Sequence, residues 1–421
     1  MRRNYYIVLL VFLTFFVMSL LTNILGPLVP DIINSFGVSL TSAALLPFSF
    51  FIAYGVLSVP AGVFVERFTE KPVMLGAFLM GLLGSLFFAL LPLYGVAVAS
   101  LFLMGGGMAV LQVAINPLLR AAGGEEHFAF NSTLAQLIFG SASFFSPRLY
   151  SYLVLHLQYG AVSPNWFVGT LARVTPAKLP WVSMYWIFAV ATLVMLAVIS
   201  LSHFPRVERT AEERVGSLDM YKSLLRNPVV LLYFGCVFAY VGSEQGTADW
   251  ISRFLSQYHG YDPHTVGAIA VSWFWGLLTA GCAIGMVLLK FFDSRRVLRG
   301  FAIAALISLT VALFGSSRAS VIAFPVIGLC ASVMWPILSS LAFNSVAEYH
   351  GSLSGILCTG IMGGAVVPLI IGRVGDSFGL RIGMTFLYLT FGCVLSVSFW
   401  ARPLITNATI KSQKVVVEPI T

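Results

Sequence analysis

Twelve apolar runs separated by short, turn-rich segments make up most of this chain, and no other feature restricts the fold as severely. They cover about 5–30, 41–65, 72–91, 94–119, 128–155 and 181–202, then 229–255, 265–289, 298–314, 319–343, 353–372 and 382–401. A helix needs about 20 apolar residues to cross bilayer hydrocarbon, so each run is read as one crossing. The predicted fold class is all-α: a membrane protein of twelve transmembrane helices in two six-helix bundles. Composition agrees, with 58% hydrophobic and 10% charged residues where a soluble domain carries about a quarter charged.

The net charge of +8 invites a nucleic-acid reading. The distribution rejects it, because the basic residues sit in short loops and form no single face. Cys236, Cys282, Cys330, Cys358 and Cys393 all fall inside apolar runs without CxxC spacing, and read as small hydrophobic residues. His259 and His264 flank Asp262, which is weak grounds for a metal site, and no metal is expected. Without a Gly-Lys dipeptide there is no Walker A loop and no case for an ATP-driven pump; nucleophile elbows are absent too, so an enzyme is not expected.

Two segments interrupt the rhythm. The stretch 156–180 carries Pro164, Trp166, Phe167 and Pro176, aromatics suited to a cover at the membrane interface. The stretch 203–228 is the long charged one, and its second half from Leu218 to Leu225 has the apolar spacing of a surface helix. It divides the chain into a first bundle (1–202), a linker (203–228), a second bundle (229–401) and a tail (402–421). With the N-terminus cytoplasmic, about 17 Lys and Arg fall inside and about 7 outside. Both termini are therefore expected in the cytoplasm, in an inner-membrane protein. The N-terminal run continues past 20 residues with no small-residue cleavage site, so it reads as a retained helix.

The seventh run holds Tyr240-Val-Gly-Ser-Glu-Gln-Gly-Thr-Ala-Asp-Trp250, with Glu244 near mid-membrane. A carboxylate there costs a few kcal/mol or more, about 2.5 to 3.5 on insertion scales, unless protonated, paired or holding a cation. Gly242 and Gly246 bracket it and are expected to loosen the helix. Ser243, Gln245 and Thr247 are placed to offer neutral oxygens to Na⁺; a lone buried Glu serves equally for H⁺. Asp249 is the second acid and the second coupling candidate, with an i,i+4 ion pair to Arg253 as its plainer reading.

Pro60-Ala-Gly62-Val-Phe-Val-Glu66-Arg67-Phe-Thr69-Glu70-Lys71 resembles the Gly-x-x-x-Asp-Arg-x-Gly-Arg-Arg loop of major-facilitator proteins, with Thr69 in place of the second glycine. An acid and a base at a helix end can pair and cap a neighbouring helix terminus. Gln112-Val-Ala-Ile-Asn116-Pro117, Gly123-Gly-Glu-Glu-His127-Phe128 and Leu134-Ala-Gln136 are similar to the fucose permease family of sugar symporters. So are Asn23 with Pro30, Pro60-Ala-Gly62, Tyr240-Val-Gly242, Trp335-Pro336 and Gly363-Gly364 with Pro368. The resemblance implies a major-facilitator fold and cation-coupled sugar symport by alternating access. It also exposes two departures: where fucose permease carries an aspartate in the first span and a glutamate in the fourth, this chain has Gly26 and Gln112. That leaves Glu244 as the mid-membrane candidate for coupling.

The polar inventory suits a polyhydroxylated solute. Gln112 and Asn116 share a helix face, Gln136 and Asn23 lie within spans, and amides both donate and accept. Trp273, Trp275 and Trp335 can stack on a pyranose ring. The expected substrate is a small polar solute, a sugar, and the expected partner is lipid, with the protein a monomer and free of nucleic acid. No cofactor is expected beyond co-transported H⁺ or Na⁺. Efflux of an amphipathic compound against protons and uncoupled sugar facilitation are the alternatives.

Overall fold

The computed structural model describes residues 4–123, 128–158, 166–204, 218–346 and 350–402. Positions 205–217 of the expected linker, the tail beyond 402 and residues 124–127 of the fourth-to-fifth-span motif lie outside them.

Among the described residues the fold is a bundle of helices. The first half of the chain runs α1 (Tyr5–Thr22), α2 (Leu25–Phe36), α3 (Leu40–Phe68), α4 (Glu70–Leu90), α5 (Tyr94–Gly123), α6 (Phe128–Gln158), α7 (Trp166–Val174) and α8 (Ser183–Leu201). After the short α9 (Leu218–Arg226) come α10 (Pro228–His259), α11 (Ala268–Phe291), α12 (Ser294–Phe314), α13 (Ser317–Ala331) and α14 (Met334–Phe343). The chain closes with α15 (His350–Thr359), α16 (Gly363–Phe378), α17 (Leu380–Met384) and α18 (Phe386–Trp400). Eleven helical stretches among the described residues are long and apolar enough to span a membrane. The remaining expected span is α6, 31 residues long. Gln136, Ser141, Ser143, Ser146 and Arg148 dilute its apolarity.

Two of the mid-span breaks have one cause. Proline lacks the N–H that would reach the carbonyl four residues back, and its ring crowds that carbonyl. Pro27 does this to Asn23, where α1 gives way to α2; Pro336 does it to Ser332, where α13 gives way to α14. By contrast α10 runs unbroken, so the expected loosening at Gly242 and Gly246 does not occur. Those glycines admit α16 instead: a Cβ on Gly242 would stand 2.3 Å from Val367 Cγ2.

In the first half α3, α4, α5 and α8 pack side by side, with α1 between α5 and α6; in the second, α10 lies against α16 and α18, and α13 against α11 and α12. The main contacts that join the halves are those of α3 with α16, α6 with α11, α2 with α10 and α3 with α15. Residues 4 and 402 fall on one face of the bundle, here the terminal side; the opposite face is the far side.

The far side is tied shut. His264 Nε2 lies 2.8 Å from Asp31 Oδ1, and the Tyr150 hydroxyl donates to Asp31 Oδ2. Asp376 of α16 accepts from the Leu40 and Thr41 amides at 2.8 and 2.9 Å and from the Thr41 hydroxyl at 2.5 Å. It thus caps the N-terminus of α3, where a carboxylate meets unpaired amides and the positive helix end. On the terminal side, Lys71 of the loop motif donates to the Ser200 and Ser202 carbonyls at 2.8 and 2.7 Å, capping the C-terminus of α8. Thr69, where that motif usually has glycine, adopts φ 68°, the sole positive φ at a non-glycine among the described residues.

Candidate functional site

A cavity of about 350 Å³ lies between the halves, beneath the closed far side. Its first-half wall comes from α1, the α1–α2 break, α3, α5 and α6, and includes Asn23, Tyr54, Gln112, Gln136 and Ser143. Its second-half wall comes from α10, α11 and the α13–α14 break, and includes Tyr240, Glu244, Gln245, Trp275, Ser332 and Trp335. Both proline-made breaks deliver polar groups to the cavity, Asn23 and Ser332, a setting in which non-helical backbone is tolerated at membrane depth.

Seven residues singled out from the sequence meet here: Asn23, Gln112, Gln136, Glu244, Gln245, Trp275 and Trp335. Asn23 Nδ2 donates to Ser143 Oγ at 2.8 Å, tying α1 to α6 at the cavity edge. Trp335 and Tyr240 face each other with ring centroids 6.2 Å apart. The Trp275 indole N–H is buried without a protein acceptor, a donor left for a solute. Glu244 has the Tyr240 hydroxyl one turn earlier as its hydrogen-bonding neighbour. Among the described residues no Lys, Arg or His lines the cavity with it.

Other expectations are corrected. Trp273 is 46% exposed on the outer surface, edge-on to Phe144 and beneath Arg148. Residues two apart on a helix point to nearly opposite faces, so Trp273 and Trp275 cannot both reach the cavity. Asp249 is 3% exposed and outside the cavity. It forms no ion pair with Arg253; Asp249 Oδ2 and Arg253 Nε both lack a partner. Ser243 and Thr247 do not gather around Glu244: Ser243 bonds Thr390 of α18 at 2.6 Å, and Thr247 donates to the Ser243 carbonyl at 2.7 Å. Asn116 belongs to α5, but its side chain is outside the described residues. Among the described residues no cluster of three or more His, Cys, Asp or Glu is placed to hold a metal.

Sequence reasoning passed over Tyr54, Thr133, Ser143, Tyr240, Thr279 and Ser332. Two of them carried a readable signal. Tyr240 precedes Glu244 by four residues and Ser143 follows Gln136 by seven, helical spacings that share a face.

Residues 11–367 match the Major Facilitator Superfamily. The chain is 28% identical to a Brucella abortus glucose/galactose transporter over 88% of each protein. It is 23% identical to the Escherichia coli L-fucose-proton symporter, over 87% of this chain and 86% of that one. The fold superposes on the crystal structure of the Escherichia coli fucose symporter in its outward conformation with a TM-score of 0.68 at 20% identity, covering 94% and 98% of the two chains. A bacterial homologue of the lysosomal transporter Spinster, inward-facing and occupied, gives 0.74 at 15% identity over 94% and 96%. The protein is an integral multi-pass membrane protein and not an enzyme, and it belongs to the major facilitator superfamily, among members resembling the fucose permeases.

Proposed function

We propose that this protein is a proton-coupled sugar symporter working by alternating access, with Glu244 as the coupling residue. The cavity wall carries the reading. Amides and hydroxyls from both halves, an unpaired indole N–H and facing aromatic rings surround one carboxylate unaccompanied by a cation. Amides and hydroxyls match the mixed donors and acceptors of a sugar, and ring faces match its apolar side. The names of the relatives, a glucose/galactose transporter and an L-fucose-proton symporter, point the same way. H⁺ is favoured over Na⁺ because two of the three neutral side chains expected to coordinate Na⁺ beside Glu244, Ser243 and Thr247, spend their hydroxyls elsewhere and only Gln245 lines the cavity. We further place the terminal side in the cytoplasm and the far side outside the cell, so that the side tied shut here is the outer one.

The test is uptake of a panel of labelled sugars into proteoliposomes, with pH and Na⁺ gradients imposed separately. Accumulation of one sugar driven by the pH gradient alone is expected. Equilibration without accumulation would leave an uncoupled facilitator, and no sugar uptake would overturn the reading.

A further inference from the structure

Asp249 is a buried acid that the cavity does not use. It sits where the two halves touch on the far side: a Cβ on Gly26 of α2 would lie 3.3 Å from Asp249 Cα and 2.3 Å from the Ala248 carbonyl oxygen. The backbones of α2 and α10 are therefore in direct contact at this point. Asp249 is 3% exposed, and its Oδ2 has no protein partner; the neighbouring Trp250 Nε1 is equally orphaned.

The surrounding charges do not compensate it. Asp31 of α2 is held by His264 and by Tyr150 of α6. On α16, Asp376 is committed to α3 and Arg373 is exposed. Arg381 of α17 lies over Tyr258 and Phe254. Arg318 of α13 is exposed, and the described part of α18 carries no charge. The charges of α9, α11 and α15 belong to the other end of α10. On α10 itself, Arg253 forms no ion pair with Asp249, Glu244 faces the cavity and His259 lies nearly three turns on.

An ionised carboxylate in a dry contact without a cation or donor carries a large desolvation cost, and such a group keeps its proton instead. Opening the far side must part α2 from α10, because Gly26 and Ala248 belong to opposite halves. That parting hydrates Asp249, and a hydrated aspartate loses its proton above about pH 4.

We infer that Asp249 is a second proton-binding site, reached from the far side through the α2–α10 seam and distinct from the cavity acid, so that each closure of that seam takes up one proton. The inference rests on the alternating-access reading above, but not on the sugar or on Glu244. Its sign follows from the two states. The seam is closed with the acid protonated and open with it ionised, so low pH favours closure. Above about pH 4, and until the acid gives up its proton in the closed state as well, the closed-to-open ratio should fall about tenfold per pH unit.

The test uses the full-length protein in nanodiscs without sugar, with spin labels at Leu93 and Arg318, which are exposed on the far side of opposite halves. Distances are read from pH 5 to 8.5. His264 and Glu244 also titrate, so the comparison is made in a Glu244→Gln, His264→Gln background, with Asp249 present or replaced by Asn. The closed fraction should fall with pH when Asp249 is present and stay high and flat with Asn. In the otherwise native protein, Asp249→Asn alone should reduce the slope by one decade per pH unit. Equal slopes with Asp and Asn, or no slope with either, would overturn the inference. Failure of sugar uptake would leave this readout intact and speak only against the transport reading.

Discussion

Glu244 is accessible from the cavity and accompanied there by a phenol, amides and indoles, none of which can neutralise it. Its occupancy therefore changes the charge of the space that alternating access must close, and coupling follows because a ligand shifts a two-state equilibrium only by its differential affinity for the states. Glu244→Gln keeps the shape and fixes the neutral form. In proteoliposomes it should abolish accumulation against a gradient while exchange of sugar down its own gradient persists; continued accumulation would make the carboxylate structural. Gln136 offers the same wall two donors and an acceptor. Gln136→Ala should weaken sugar binding by ~1–3 kcal/mol, since it strands a solute hydroxyl, with folded yield unchanged in calorimetry of the purified protein. Thr69 reverses the direction of effect. Its φ of 68° and ψ of 173° lie in a region that costs a side-chain-bearing residue about 1–3 kcal/mol, so Thr69→Gly should stabilise the protein and raise its thermal midpoint. A lower midpoint would mean that the threonine side chain makes contacts outweighing its backbone strain.

At the scale of elements, the helix breaks at Asn23 and Ser332 follow from Pro27 and Pro336 and were implicit in those residues. Which helices touch across the halves was not readable, because apolar runs advertise burial and lipid exposure alike. The same blindness misplaced Trp273: lipid and cavity both accept an indole, and only the rotation of α11 decides between them. Asp249 was misread for a related reason. A spacing of four residues permits an ion pair, but the backbone of α2 arriving at Gly26 set the surroundings of that acid from a stretch more than two hundred residues away. The small size of Gly26 is thus a property of the seam. Gly26→Val would set its Cβ 2.3 Å from the Ala248 carbonyl oxygen, so closure on the far side should fail while each half stays folded. The spin-label distance between Leu93 and Arg318 should lengthen at every pH, and uptake should fall to background. An unchanged distance would show that α2 can shift to accommodate the side chain.

At the scale of the whole molecule, the twelve-span, all-helical plan and the family were legible in the sequence, because membrane crossing imposes length and apolarity on each run separately. The cavity was legible only in part: polar residues inside apolar runs mark its wall, but which of them face inward depends on helix rotations set by packing. Sidedness rests on charge, and the structure adds a geometric consequence. If the side with the termini is cytoplasmic, then α7, with Trp166 81% exposed, lies outside the cell and α9 lies inside. Thr170 of α7 and Ser223 of α9 are both exposed, so a cysteine at either can meet a water-borne reagent. The five native cysteines lie in apolar spans, buried or partly so, which keeps the background low. In intact cells, a membrane-impermeant maleimide should label Thr170→Cys and leave Ser223→Cys unmodified; permeabilised cells should label both. Labelling of the second site alone in intact cells would invert the molecule and put the closed seam, with Asp249 beneath it, on the cytoplasmic face.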